Sequence, residues 1–444
     1  MNIVLSTNQF LPYSTGGVEV LALGLAQAYQ AAGHETFILC AEPDDVLGPT
    51  EVRVTQELVA GVPVDRLWIN PARNEEDSWA CHDPSLAPIL QSVLATRRPT
   101  VFHALTFGLL SSVTLEVAGQ MGCRLFYTAC GYELTCSLIE LIRPDNTLCD
   151  GNASLRRCLA CRRPHTPQSE LVYAGVRWWP EQLLVKSATR WRAHGGRSIT
   201  LLEILSGLVR RAERMQSAIE KLDGIIAPSA WSKDVLLRNG APDAKVKVVH
   251  HGVQDEVRAI GKKPSRGGLR FGYIGRITPI KGVDQLLRAF LRVSAKHASS
   301  LVIYGPVAHH DHDYMEECQE TAAGHPEIRF GGLLDRSQIA DAFSEIDVLV
   351  VPSVWHEVLG IVIQEAFATR TPVIAADIGG IPDLVHHGVN GWLYPPFSED
   401  SLRRVMEECC ANPAIVHEKQ KMVASPRTVK AEAQELLGLY RSMP

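Results

Sequence analysis

The sequence predicts an α/β protein built on parallel β-sheets and divided into more than one domain. Three observations carry that expectation. Residues 347–351 form an unbroken apolar strand, as suits a parallel sheet covered on both faces. After a polar loop, Gly360 opens a helix that ends near Thr369, and a second apolar strand follows at 372–376. Strand, loop, helix and strand make one βαβ unit, whose loops lie where open α/β sheets bind ligands. At 444 residues the chain is also too long for one ordinary core, so two or three domains are expected.

Composition narrows the class. Hydrophobic residues make up 46% and charged residues 21%, values of a soluble globular protein. A formal charge of −5 argues against a nucleic-acid partner. There is no run of 18 apolar residues, so no membrane-spanning segment is predicted. Met1-Asn2 leads straight into a strand without a basic leader or cleavage site, which predicts a cytoplasmic protein. Eleven cysteines, an odd number spread over a large chain, favour reduced thiols or a metal site over a disulfide framework.

In chain order, Asn2–Thr7 is a short apolar strand, followed by a loop with Pro12, Gly16 and Gly17. Val18, Leu21, Leu25, Ala28 and Ala32 have helical spacing, Gly33 closes that helix, and residues 35–40 form the second strand. Between a first strand and its helix, Gly16-Gly17 lets backbone amides approach an anion closely. Strands and helices alternate through 52–59, 84–96 and 100–104; His103 ends the last strand, at the ligand edge of a parallel sheet. Another apolar strand covers 123–129.

Residues 132–217 look like an insertion. They hold Cys136, Cys149, Cys158 and Cys161, the last two as a Cys-x2-Cys knuckle; four thiolates can close a tetrahedral zinc site or hold an iron–sulfur cluster, with unliganded thiols the alternative. Such a metal would be structural, because four protein ligands leave no open position. Between Arg156 and Met215 stand 12 Lys and Arg against 4 Asp and Glu, a net +8, with Trp178, Trp179 and Trp191 among them. That segment is either a solvated basic face or a docking surface for an anionic membrane. A helix over about 198–222 carries an apolar face at Leu201, Ile204, Leu205, Leu208 and Met215. Strands follow at 223–228 and 246–249, and 255–268, rich in Lys, Gly and Pro, is the expected linker.

The second half opens with a strand at 270–274 and the loop from Gly275 to Gly282. A strand at 300–304 precedes His309-His310-Asp311-His312-Asp313, a tract in a low-complexity loop. Glu357, in the loop after 347–351, and Glu365, inside the next helix, can both reach a ligand at the strand's carboxyl end. The amides of Gly360, Ile361 and Val362 at the helix start suit a diphosphate, and a carboxylate accepts from both hydroxyls of a vicinal diol. The chemistry implied is that of a nucleotide-sugar.

With Gly360, Glu365-Ala366, Pro372-Val373 and Gly379-Gly380 around them, Glu357 and Glu365 resemble the Glu-x7-Glu signature of retaining GT-B-fold glycosyltransferases, the family 4-like or group 1 enzymes. The stretch from Asn2 to Cys40, including Gly33-His34-Glu35, is similar to the start of the same family. The resemblance implies two Rossmann-like parallel-sheet domains facing a cleft. The layout is then 1–254 for the acceptor-side domain, 255–268 for the linker, 269–429 for the nucleotide-sugar domain, and 430–444 for a helix crossing back to the first domain. It further implies that Glu357 lies against the donor sugar, that Glu365 holds the ribose, and that Arg276 and Lys281, spaced Arg-x4-Lys beside Gly275, meet the diphosphate. Two such cations neutralise a leaving nucleotide without a metal, so no catalytic metal is expected. His103 would face the donor sugar across the cleft; the alternative is a histidine satisfied by backbone hydrogen bonds. Cys-bearing insertions like this one occur in a branch of the family. Two departures stand out: Cys130-Gly131 occupies the place of a frequent His-Asp, and His251-Gly252-Val253 that of a commoner Asn-Gly-Val.

The expected function is transfer of a sugar from a nucleoside diphosphate donor to a hydroxyl acceptor, a sugar chain or a lipid-linked group, in polysaccharide or glycolipid synthesis. His103, Arg276, Lys281 and Glu357 would be catalytic, and Gly16, Gly17, Gly275, Gly360, Ile361, Val362 and Glu365 would complete the donor site. A nucleotide-sugar epimerase and a non-catalytic sugar-nucleotide binder are the rival readings. A dinucleotide oxidoreductase is disfavoured because no Gly-x-Gly-x-x-Gly follows the first strand.

Overall fold

The first strand of the chain lies at the centre of an eight-stranded sheet, in a computed structural model that describes residues 1–73, 81–163, 167–193, 200–254, 257, 261 and 267–443. The chain divides into two compact units. One comprises Met1–Pro228, Ser232–Val249 and Ala433–Pro444, the other Ser229–Trp231 and His250–Glu432.

The first unit contains β1 (Asn2–Thr7), β2 (Glu35–Pro43), β3 (Val52–Val59), β4 (Val62–Ile69), β5 (Val101–Ala104), β6 (Arg124–Thr128), β7 (Gly224–Ala227) and β8 (Val246–Val248). Their order across the sheet is β3-β4-β2-β1-β5-β6-β7-β8. The strands are parallel except for β3, which pairs antiparallel with β4. That hairpin differs from the alternating strands and helices read from the sequence. Ala60 and Gly61, both at positive φ, form a two-residue turn whose twist suits a hairpin, so no helix separates the two strands. The helices are α1 (Gly17–Ala31), α2 (Ala87–Arg97), α3 (Val113–Gln120), α4 (Leu155–Arg162), α5 (Pro167–Val176), α6 (Glu181–Ala193), α7 (Thr200–Lys221) and α8 (Ala230–Arg238).

The insertion has a core of its own. Leu159, Leu184, Ala188, Leu201, Ile204, Leu205 and Leu208 pack together from α4, α6 and α7. Further along α7, Met215, Ala218 and Ile219 join the main core beside Leu125 and Ile225, so one long amphipathic helix ties the insertion to the sheet.

The second unit has β9 (Leu269–Ile274), β10 (Ser299–Tyr304), β11 (Ile328–Gly332), β12 (Val348–Val351), β13 (Val373–Ala376) and β14 (Gly391–Tyr394), all parallel. Interleaved helices are α9 (Val283–Ser294), α10 (His312–Ala322), α11 (Ile339–Ser344), α12 (Ile361–Ala368), α13 (Glu399–Ala411) and α14 (Pro413–Met422), and α15 (Val429–Ser442) ends the chain. α9 buries Val283, Leu286, Leu287, Ala289, Phe290 and Val293, the spacing of one helix face. The strand order β11-β10-β9-β12-β13-β14 is that of a doubly wound Rossmann sheet. Successive strands run outward to one side from β9, and from β12 to the other. Between β9 and β12 the direction reverses, and loops at the carboxyl ends of that pair diverge to leave a crevice.

α15 begins in the second unit and continues from Ala433 in the first. In the second unit Glu432 accepts from the Gly252 amide at 2.6 Å and lies 3.0 Å from His251 Nδ1. In the first unit the Tyr440 hydroxyl meets Tyr29 Oη at 2.8 Å and His103 Nδ1 at 2.5 Å. Most of the expected linker lies outside the described residues.

Candidate active site

Three loops at the crevice of the second sheet are locked together by close backbone approaches. The first follows β9 and carries Gly275, Arg276 and Lys281. The second follows β12 and carries Ser353, Trp355 and Glu357. The third follows β13 and carries Gly379 and Gly380. Val354 donates its amide to the Ile280 carbonyl at 3.0 Å, and Gly380 donates to the Glu357 carbonyl at 2.7 Å. Glycine is needed at two contacts. Gly282 has φ +68°, and a Cβ there would stand 2.2 Å from the Pro352 carbonyl oxygen. Gly379 has φ +60°, and a Cβ would stand 2.4 Å from the Glu357 carbonyl oxygen and 2.7 Å from its nitrogen.

Within this frame Lys281 Nζ contacts Glu357 Oε1 at 2.6 Å, and both side chains are largely buried. Ser353 donates to the same oxygen at 2.5 Å, and the ammonium also lies 4.9 Å from the centre of the Trp355 ring. Burial pushes the Glu357 carboxyl up. The Lys281 charge and hydrogen bonds from Lys281, Ser353 and Trp355 outweigh it, so the group ends below its ordinary value and stays ionised. Arg276 is exposed in the same loop as Lys281. His356, beside Glu357, stacks on Trp231 with ring centres 4.3 Å apart, which steadies the loop further.

α12 starts at Gly360, whose φ of +91° turns the chain from the loop into the helix. Ile361 and Val362 therefore present first-turn amides, which have no intrahelical acceptors. One turn further in, Glu365 is buried and accepts from Arg336 Nη1 at 2.6 Å. Burial raises the Glu365 carboxyl despite Arg336, so Glu357 and Glu365 are driven in opposite directions. Arg336 was not foreseen: it follows β11, at the sheet's far edge, and no motif links it to Glu365. Ser353 and Trp355 lie within four residues of Glu357, and their proximity was the available signal.

Gly275 adjoins Gly305, where a Cβ would stand 1.7 Å from the Gly275 carbonyl oxygen, so the loops after β9 and β10 also run in close contact. In the first unit Gly16 caps α1 in an extended conformation and Gly17 begins the helix, with Glu19 in its first turn.

His103, at the carboxyl end of β5, has no exposed surface. Its Nε2 lies 2.7 Å from Thr128 Oγ1 and its Nδ1 2.5 Å from the Tyr440 hydroxyl. α15 covers the end of β5, and the histidine has become a bolt between sheet and helix with both nitrogens engaged by side chains.

Among the described residues no group of three or more His, Cys, Asp or Glu stands in ligating geometry. The tract at 309–313 forms a short turn and the start of α10. Cys136, Cys149, Cys158 and Cys161 are unbridged and partly buried. A cavity also lies away from the crevice loops. It lies in the insertion, about 510 Å³, lined by Leu155, Val185, Leu208 and Met215 together with polar groups that include Glu181, Arg211 and Arg238.

Two Rossmann-like units, one with a buried cation–carboxylate pair at its switch point, define a doubly wound α/β protein. The chain belongs to the glycosyl transferase 4-like family, whose domain matches residues 16–252, more than half of it; the glycosyl transferases group 1 model matches 254–425. An uncharacterized glycosyltransferase of Methanocaldococcus jannaschii is 29% identical over 245 residues, covering 51% of this chain and 61% of that one. A D-inositol 3-phosphate glycosyltransferase of Streptomyces avermitilis is 35% identical over 211 residues, covering 44% of this chain and 45% of that protein. The chain thus spans about half to three-fifths of the length of these curated relatives. Anabaena Alr3699/HepE, solved in complex with UDP and glucose, superposes with a TM-score of 0.64 at 17% identity over 100% of both chains, a likeness of fold.

Proposed function

We propose that this protein transfers a sugar from a nucleoside diphosphate donor to a hydroxyl acceptor, with the anomeric configuration retained, in the making of a polysaccharide or glycolipid. The observation that carries the reading is the Lys281–Glu357 pair at the crevice of the second sheet. An ammonium has three N–H donors; with one on Glu357, two remain for phosphate oxygens. Arg276 from the same loop and the amides of Ile361 and Val362 would add charge and dipole. As the sugar–phosphate bond breaks, these groups stabilise the negative charge growing on the leaving diphosphate without a metal ion. Glu357 would accept hydrogen bonds from the sugar and Glu365 from the ribose diol, with Arg336 holding Glu365 in place. The two would then form the Glu-x7-Glu signature. Family membership and the UDP and glucose bound by the Anabaena protein support a nucleotide-sugar donor.

The test is a thermal-shift panel of UDP-, GDP- and ADP-sugars, followed by NMR of the anomeric centre in any product. A saturating donor is expected to stabilise by about 3 kcal/mol at a hundred times its Kd. No shift with any donor, or a product of inverted configuration, would overturn the reading.

A peripheral position on an anionic membrane fits the same protein. Leu171, Trp178, Trp179 and Leu183 are exposed on and between α5 and α6, at 76, 75, 42 and 47%. They stand within the segment of net charge +8. Apolar rings amid cations suit the headgroup boundary, and each basic side chain near such a surface contributes about 1 kcal/mol. The side chain of Trp191 lies outside the described residues. Co-sedimentation with anionic but not neutral vesicles, weakening as salt rises, is the expected result; no binding to anionic vesicles at low salt removes this part of the proposal.

A further inference from the structure

We propose that Cys136, Cys149, Cys158 and Cys161 bind one zinc ion that pins the insertion to the first unit, a role separate from sugar transfer. The four residues come from three segments that the fold brings to one place. Cys158 and Cys161 stand three apart on α4, so their side chains share a helix face. Cys149 closes a small hairpin: its amide donates to the Leu141 carbonyl at 2.8 Å, with Ile142 bridged to Leu148. Next to it, Asp150 accepts from Arg157 of α4 at 2.7 Å, which holds the hairpin's end against the helix. Cys136 lies in a stretch gripped from two sides. Arg211 of α7 donates to the Cys136 carbonyl at 3.0 Å, and Arg162 of α4 donates to the Ser137 carbonyl.

All four cysteines line one cavity of about 30 Å³. The cavity is small and lies between the hairpin and α4. The ligating set is not closed. Each segment is already tied to α4 or α7. Four thiolates around Zn²⁺ carry a net charge of −2, and the guanidinium-bearing Arg143 and Arg157 line the same cavity, offsetting it. Unliganded thiols need no such convergence of hairpin, helix and arginine clamps.

The experiment is elemental analysis of the full-length chain purified without added metal, with its absorption spectrum and release of bound metal by a mercurial thiol reagent. About one zinc per chain is expected, released in step with thiol modification, without visible bands. Cobalt exchanged into the site should give the intense visible and near-ultraviolet bands of a tetrahedral tetrathiolate. Cys158→Ser/Cys161→Ser should lose the ion, while Cys318→Ser in the second unit should keep it. Soluble, reduced wild-type protein with less than about a tenth of an equivalent of zinc, an iron–sulfur spectrum, or zinc retained after the double substitution overturns the proposal. The wild-type measurements stand even if the double variant does not fold.

Discussion

Removing the Lys281 ammonium separates what the crevice does for folding from what it does for chemistry. Lys281→Ala deletes a cation 2.6 Å from a carboxylate whose side chain is only 8% exposed. Breaking a buried pair from one side costs about 3 to 5 kcal/mol, because the remaining charge is left uncompensated. Ser353 still donates to Glu357, so about 3 kcal/mol is the expected loss of stability. The loss should depend on pH. Glu357 is held below its ordinary value, so its contribution to stability is present above the unfolded value and disappears as pH falls through the folded one. Without Lys281, burial prevails and the carboxyl titrates higher, so the deficit of the variant should shrink on acidification. For catalysis, a charge-assisted contact to a partly desolvated phosphate is worth about 2 kcal/mol, or about thirtyfold in kcat/KM. The assay is urea unfolding at several pH values beside initial rates with the donor. Lys281→Ala/Glu357→Gln should recover much of the stability and none of the activity. If Lys281→Ala leaves kcat/KM within about twofold of wild type, the diphosphate is not held there.

Glu365→Gln should raise the Tm of the ligand-free protein at neutral pH yet weaken nucleotide binding about tenfold, a trade of stability for function. The folded-state value of Glu365 is raised, so the ionised carboxyl is held at a cost that vanishes as pH falls through that value; the Tm difference should close on acidification, and no difference at pH 7 contradicts this reading. Gly379→Ala should lose about 1 to 2 kcal/mol from its left-handed backbone, and more than tenfold in kcat because the added Cβ collides with the Glu357 backbone; unchanged rates would show that the loop yields freely. His103→Ala should cost roughly 3 kcal/mol in stability through a cavity and two lost hydrogen bonds, with kcat of the folded fraction close to wild type. A hundredfold drop in kcat at unchanged Tm would restore a direct catalytic role.

The sequence by itself determined the class of fold and named the residues of the candidate site. Period-two and period-3.6 apolar patterns are local, and so the βαβ units, the helix over α12 and the apolar face of α7 could be read without coordinates. The Arg276–Lys281 and Glu357–Glu365 spacings were legible for the same reason, each lying within one loop or one loop–helix turn. Tertiary structure alone decided the partners. Arg336 reaches Glu365 across 29 positions of chain and Tyr440 reaches His103 across 337, and no short pattern encodes contacts at such separation. The strand order that opens the crevice between β9 and β12 was equally invisible, since it depends on which edge each crossover takes. His103 shows the physical limit most clearly. A residue at the carboxyl end of a parallel strand is poised for ligand, until a helix from the far end of the chain covers it and turns its two nitrogens to holding the fold.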